Sequence, residues 1–147
     1  MSVRLTGPPR DVRGSRVDTA KLRSRARRIL HAAGHARSEL SLSLVDDEEM
    51  AELNHRYRGI DRPTDVLSFS LVEGEAAEHR GKLLGDVVIG IEIAERQARS
   101  AHRGFDQELA RLLIHGVLHL LGHDNEEPSA AKAMRAEERR IWRSLED

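Results

Sequence analysis

The sequence predicts a single-domain α+β fold over residues 1–147, a small mixed sheet covered by helices, on three observations. A chain of 147 residues suits one hydrophobic core better than two. Segments of period-two and period-3.6 hydrophobicity are interleaved without the regular alternation of a parallel α/β sheet. A composition of 39% apolar and 33% charged residues is that of an ordinary soluble domain.

Taken in order, VRLTG near the N-terminus predicts a short edge strand, followed by the loop-like PPRDVRGSR, with its Pro, Gly and charge. Asp18 is a candidate N-cap for an amphipathic helix in which Leu22, Ala26, Ile29, Leu30 and Ala33 recur at helical spacing until Gly34. Arg23, Arg25, Arg27 and Arg28 lie largely off that stripe, as a solvated face or part of an RNA-facing patch. ELSLSLV at 39–45 alternates leucines with polar neighbours, as a half-buried strand does. Asp46, three residues before Glu49, opens a second helix with a Met50, Leu53 and Tyr57 stripe that stops near Gly59.

After the turn signals Asp61 and Pro63, VLSFSL reads as a strand. The polar AAEHRGK separates it from LLGDVVIGI, whose β-branched residues suit a strand buried on both faces, and the two strands are expected to pair antiparallel. A helix over about 92–100 precedes a central one, capped by Asp106, with Leu109, Leu112, Leu113, Gly116, Val117 and Leu120 on a wide apolar face. Gly122 marks its C-terminal cap, and Pro128 opens a last helix carrying Met134, Ile141, Trp142 and Leu145.

Net charge of -1 neither supports nor excludes a polyanionic partner, because basic residues can be segregated on one face. The absence of cysteine excludes disulfides, thiolate zinc sites and cysteine nucleophiles, so a transition metal here must rely on imidazole and oxygen donors. No stretch approaches the roughly 20 apolar residues of a membrane helix, and the N-terminus has no apolar signal core, which predicts a cytoplasmic protein.

Histidine therefore carries the chemistry. In HGVLHLLGHDN, His115 and His119 are four apart on the central helix and project from one face, so both imidazoles can converge on one ion. Histidines that merely pack at the margin of an apolar helix would show the same spacing. Gly122 adds a turn that lets a later residue complete a coordination sphere. The run is similar to HExxHxxGxxH, the zinc site of metzincin proteases, but Gly116 stands where that pattern has its general-base glutamate and Asn125 where it has its third histidine. His123 lies eight residues beyond His115, about 12 Å along an unbroken helix, and reaches the site only if the helix ends early. Asp124 offers a charged oxygen and Asn125 a neutral amide oxygen. His31, His35, His55, His79 and His102 have no spacing relative to the pair that recommends them as its third ligand.

The connection ELNHRYRGIDRPTDVLSFS concentrates Asn54, Arg56, Arg58, Arg62, Thr64, Asp65 and Ser68. Thr64 and Asp65 can simply cap the turn, whereas an arginine near a metal can bind a phosphate and stabilise its transition state. Together, LNHRYRGIDRPTDVLSFS, LLGDVVIGIEIAERQA and HGVLHLLGHDNEE resemble, in order and spacing, the signatures of the YbeY family of bacterial rRNA maturation endoribonucleases, over roughly residues 39–142.

That resemblance implies an α+β domain with a metzincin-like metal-site helix. It implies a metal-dependent, single-strand-specific endoribonuclease for rRNA processing (16S rRNA 3′ maturation) and ribosome quality control. One zinc ion is the implied cofactor; single-stranded RNA or rRNA and proteins of the small ribosomal subunit are the implied partners, with no role for DNA or membranes. Residue by residue, the family's first two metal histidines fall on His115 and His119, its third on Asn125, and its functional arginine on Arg58. Two rival readings are a non-catalytic ribosome assembly factor, which the altered third ligand favours, and a metalloprotease, which Gly116 opposes. With only Trp142, Tyr57, Phe69 and Phe105 as aromatics, RNA is expected to be held mainly through its backbone, with salt-sensitive binding.

Overall fold

The computed structural model describes residues 3–9, 16–71 and 82–145. Its elements run β1 (Val3–Thr6), α1 (Thr19–Ala32), β2 (Glu39–Val45), α2 (Asp47–Arg58), β3 (Val66–Ser70), β4 (Leu83–Gly90), α3 (Ile91–Ser100), α4 (Phe105–Leu120) and α5 (Pro128–Leu145). The four strands form one mixed sheet in the order β1-β2-β4-β3. β1 and β4 pair parallel to β2, and β3 closes the edge antiparallel to β4, with Val66 opposite Ile89 and Ser70 opposite Gly85. This is the expected α+β architecture and antiparallel pair. Most of the PPRDVRGSR and AAEHRGK connections lies outside the described residues.

Side-chain alternation splits the sheet into two faces. Leu40, Leu42 and Leu44 of β2 join Val87 and Ile89 of β4 and the buried faces of α1, α3, α4 and α5 in the main core. On the other face Val45, Leu67 and Val88 pack with Met50 of α2, flanked by Leu53 and Phe69. Tyr57 does not continue that stripe into the core: it is 57% exposed, and its ring meets Phe69 edge-on at 5.0 Å.

Asp18 and Asp46 cap α1 and α2 as expected, accepting from the Lys21 and Glu49 amides. The cap of α4 is two residues earlier than Asp106. Gly104 is the N-cap, its N–H donating to Gln107 Oε1 at 3.0 Å, while Asp106 sits in the first turn and meets Lys21 Nζ at 3.4 Å. A carboxylate there still complements the helix dipole. Of the α1 arginines Arg27 is exposed, as a solvated face requires, whereas Arg25 donates to the Asp106 carbonyl and Arg28 to the Ser144 carbonyl, tying α1 to its helical neighbours.

α4 is buried nearly all round and lies against β3 and β4. Gly116 permits this approach: a Cβ there would stand 2.7 Å from Val87 Cγ1 and 3.2 Å from Ser68 Oγ. Two hydroxyls of β3 fix the contact, Ser68 donating to the Gly116 carbonyl and Ser70 to the Leu120 carbonyl, both at 2.9 Å. Among the described residues no helix is long and apolar enough to cross a membrane.

Candidate functional site: a paired-histidine groove

A groove of about 600 Å³ runs between the end of α2, strand β3 and the C-terminal half of α4. Three local devices build its walls. Gly59, at φ 70°, ends α2 in a left-handed cap and aims Arg58 out of the last turn. The connection to β3 is held by Asn54, only 4% exposed, whose amide donates to the Arg62 carbonyl at 2.8 Å. Asp65 Oδ1 accepts from the Val66 amide at the start of the strand. Arg58 reaches across this frame, Nη2 to the Ser68 carbonyl at 3.4 Å, on the same wall that Ser68 ties to α4.

His115 and His119 form the floor. Their Nε2 atoms face each other at 3.0 Å, and the rings meet edge-on. Each ring is oriented from behind. His119 Nδ1 is 2.9 Å from the His123 carbonyl, an acceptor only, so this nitrogen carries the proton. His115 Nδ1 is 3.3 Å from Glu138 Oε2, and the hydrogen bond with His115 lowers the Glu138 pKa, which keeps that carboxylate ionised and accepting. With each Nδ1 engaged from behind, the two Nε2 atoms are turned toward one another.

Two imidazole nitrogens at 3.0 Å can share an electrophile, either a proton or a metal ion. Burial, with the adjacent His115 second, lowers the His119 pKa, which leaves a lone pair on that ring to accept it. Two nitrogens bound at about 2.0–2.1 Å to one tetrahedral zinc would stand about 3.4 Å apart, close to the spacing found. An outward-facing N–H held by a carboxylate or carbonyl is also the usual support of a metal-ligating imidazole. The residues present therefore fit a metal ion at this point.

The structure places Asp124, Asn125 and Glu126 on the same groove. α4 does end early, at Leu120, and Gly122 at φ 94° turns the chain back. It is the backbone carbonyl of His123, however, that meets His119, and its imidazole does not line the groove. Asp124 Oδ1 accepts from the Glu126 amide at 2.7 Å, which ties that carboxylate to its own loop. Among the described residues no three His, Asp or Glu side chains gather as a metal cluster, and the Asn125 amide lines the same groove as the two histidines.

Glu138 is the site residue that sequence reading missed. It lies on α5, 23 residues from His115, within the charged run AEERR, where nothing in the spacing distinguishes it. Gly116 also acquires a second meaning: position 116 points at Val87 and Ser68 on the sheet and so cannot house a general base for the groove.

A mixed sheet beneath a buried helix that presents two histidines to a polar groove defines the class, a small α+β protein with a candidate hydrolytic site. The family model described as endoribonuclease YbeY matches residues 11–146. The chain is 46% identical over 144 residues to an endoribonuclease YbeY of Anaeromyxobacter dehalogenans, covering 98% of this chain and 72% of that one. It is 44% identical over 126 residues to one of Pelotomaculum thermopropionicum, covering 84% and 83%. The solution structure of TM1509 from Thermotoga maritima superposes with a TM-score of 0.66 at 28% identity, covering 97% of this chain and 88% of that one. The chain belongs to the endoribonuclease YbeY family, whose members are hydrolases acting on RNA.

Proposed function

We propose that residues 1–147 form one endoribonuclease domain that cleaves single-stranded RNA in rRNA processing in the cytoplasm, with one zinc ion held by His115, His119 and Asn125. The observation that carries this reading is the pair of facing Nε2 atoms at 3.0 Å, each ring held from behind. Charge supports it: the groove is lined by Arg58 and Arg62 against Asp65, Asp124 and Glu126, an acidic balance that only a bound cation makes hospitable to phosphate. A zinc ion held there by His115 and His119 would supply Lewis acidity toward a phosphoryl oxygen and a more acidic water.

The chain's own groups do the rest. Glu138 and the His123 carbonyl fix the tautomer of the two imidazoles. Arg58, exposed at the rim, neutralises negative charge that builds on the phosphate oxygens as the P–O bond breaks. Asn125 would offer an amide oxygen in place of a third imidazole, a weaker zinc donor that would leave a bound ion more exchangeable. Proteins of the small ribosomal subunit are the partners in keeping with this role.

Elemental analysis and cleavage of a single-stranded RNA test the reading. Arg58→Ala is expected to keep its metal and lose about 10²–10³-fold in turnover. Asn125→His is expected to bind zinc more tightly than the wild type. If turnover requires Asn125→His and the wild type is inert, the non-catalytic assembly role replaces the enzymatic one.

A further inference from the structure

On the far side of Glu138 from the histidines lies a second cleft, of about 590 Å³, between α5 and the α3–α4 end of the molecule. Its walls carry Arg103, Arg111, Arg135, Arg139 and Arg143, with Trp142 among them and Glu138 as the lining carboxylate. This is the segregated basic face that a net charge of -1 conceals. The histidine groove, by contrast, has more acid than base.

The arginines divide into two kinds. Arg103 and Arg111 both bind Glu108, a carboxylate only 1% exposed, which anchors them at the start of α4. Arg135, Arg139 and Arg143 repeat at i, i+4 and i+8 on α5, are exposed, and have no hydrogen-bond or ion-pair partner among the described residues. Their neighbour Arg140 shows the alternative, being engaged by Glu137 and the Ala32 carbonyl. Like charges at i,i+4 disfavour a helix, and an anion bound along this row, which has no partner among the described residues, would relieve that. Trp142, half-buried against the main core, is a rigid aromatic within this row.

Regularly spaced cations beside a fixed aromatic are what a single nucleic acid strand requires, phosphates on the arginines and a base on the ring. We infer that this cleft is a second subsite for single-stranded RNA, gripping the strand beyond the point of cleavage, with Arg135, Arg139 and Arg143 on successive phosphates and one base stacked on Trp142. Glu138 joins the two sites physically: it lines this cleft and bonds to His115 of the other. The inference rests on the endoribonuclease reading for its ligand but on separate residues for its evidence.

Trp142 is the chain's only tryptophan, so its emission reports from inside the cleft. A 16-nucleotide RNA, checked on a gel to be intact, is titrated at several salt concentrations with anisotropy and tryptophan emission recorded together. Wild type is expected to bind with saturable quenching. The triple variant R135A/R139A/R143A, whose substitutions remove exposed side chains with no partner among the described residues, should melt as the wild type does, bind at least tenfold more weakly, and show a log–log salt slope shallower by about 2.

An unchanged affinity and slope in the triple variant, or RNA bound by anisotropy with emission unmoved, would overturn the subsite while leaving RNA cleavage by the wild type intact. Quenching by poly-glutamate without quenching by RNA would overturn it in favour of a protein partner. A wild type that neither binds nor cleaves RNA would sink the endoribonuclease reading itself.

Discussion

His119→Ala is expected to lower cleavage of single-stranded RNA by about a thousandfold and to abolish stoichiometric metal, since a metal-assisted reaction owes several kcal/mol of its barrier reduction to the ion. The substitution removes one of the two imidazoles that face each other at 3.0 Å and frees the His123 carbonyl behind it. Fold stability should change little, because His119 stands at the groove surface and the buried face of α4 is carried by Leu109, Leu112, Leu113, Val117 and Leu120. His115→Ala should have the same effect on activity and in addition strip Glu138 of its partner. Turnover with elemental analysis on the same samples reads both quantities; a variant that loses metal but keeps full activity would dissociate the histidines from the chemistry.

Gly116→Glu is expected to destabilise the domain by several kcal/mol and to create no peptidase. Even a methyl group at position 116 meets Val87 Cγ1 at 2.7 Å and Val66 Cγ2 at 3.2 Å, so Gly116→Ala alone should cost about 1–3 kcal/mol as overpacking of a filled core. A carboxylate adds the cost of burying a charge with no cation beside it. Urea denaturation of the two variants measures the ordering. A stable Gly116→Glu protein that hydrolyses peptides would restore the protease reading which the residue appeared in sequence to oppose only by omission.

Gly116 shows what the sequence made legible and what it did not. Its identity excluded a metzincin base, but its reason, the close seating of α4 on β3 and β4, exists only once Val87 and Ser68 are brought to it from 29 and 48 residues away. The strands and helices were legible because each is amphipathic on its own: the alternation of 39–45 and the stripe of Leu22, Ala26, Ile29 and Leu30 name their buried faces directly. Asp106 failed as a cap because the chain enters α4 through an extended Gly104, with Gln107 closing the first turn.

The histidine pair was legible for the same local reason, both rings riding one helix four residues apart. Arg58 was visible through loop composition and family resemblance, and the groove lining places it on the rim with the histidines. Glu138 had no local signal at all. Nor did the arginine row of α5 stand out among 24 basic side chains, since only the packing of α5 beside α4 distinguishes Arg135, Arg139 and Arg143 from the paired Arg140.

The central claim is that His115 and His119 hold a catalytic metal ion. The most direct test removes metal from the purified protein with a chelator, restores it with zinc, and follows cleavage of one single-stranded RNA throughout. The account predicts that activity falls with the metal, returns with zinc in the wild type, and does not return in His119→Ala; RNA cleavage that persists unchanged in the stripped protein would contradict it.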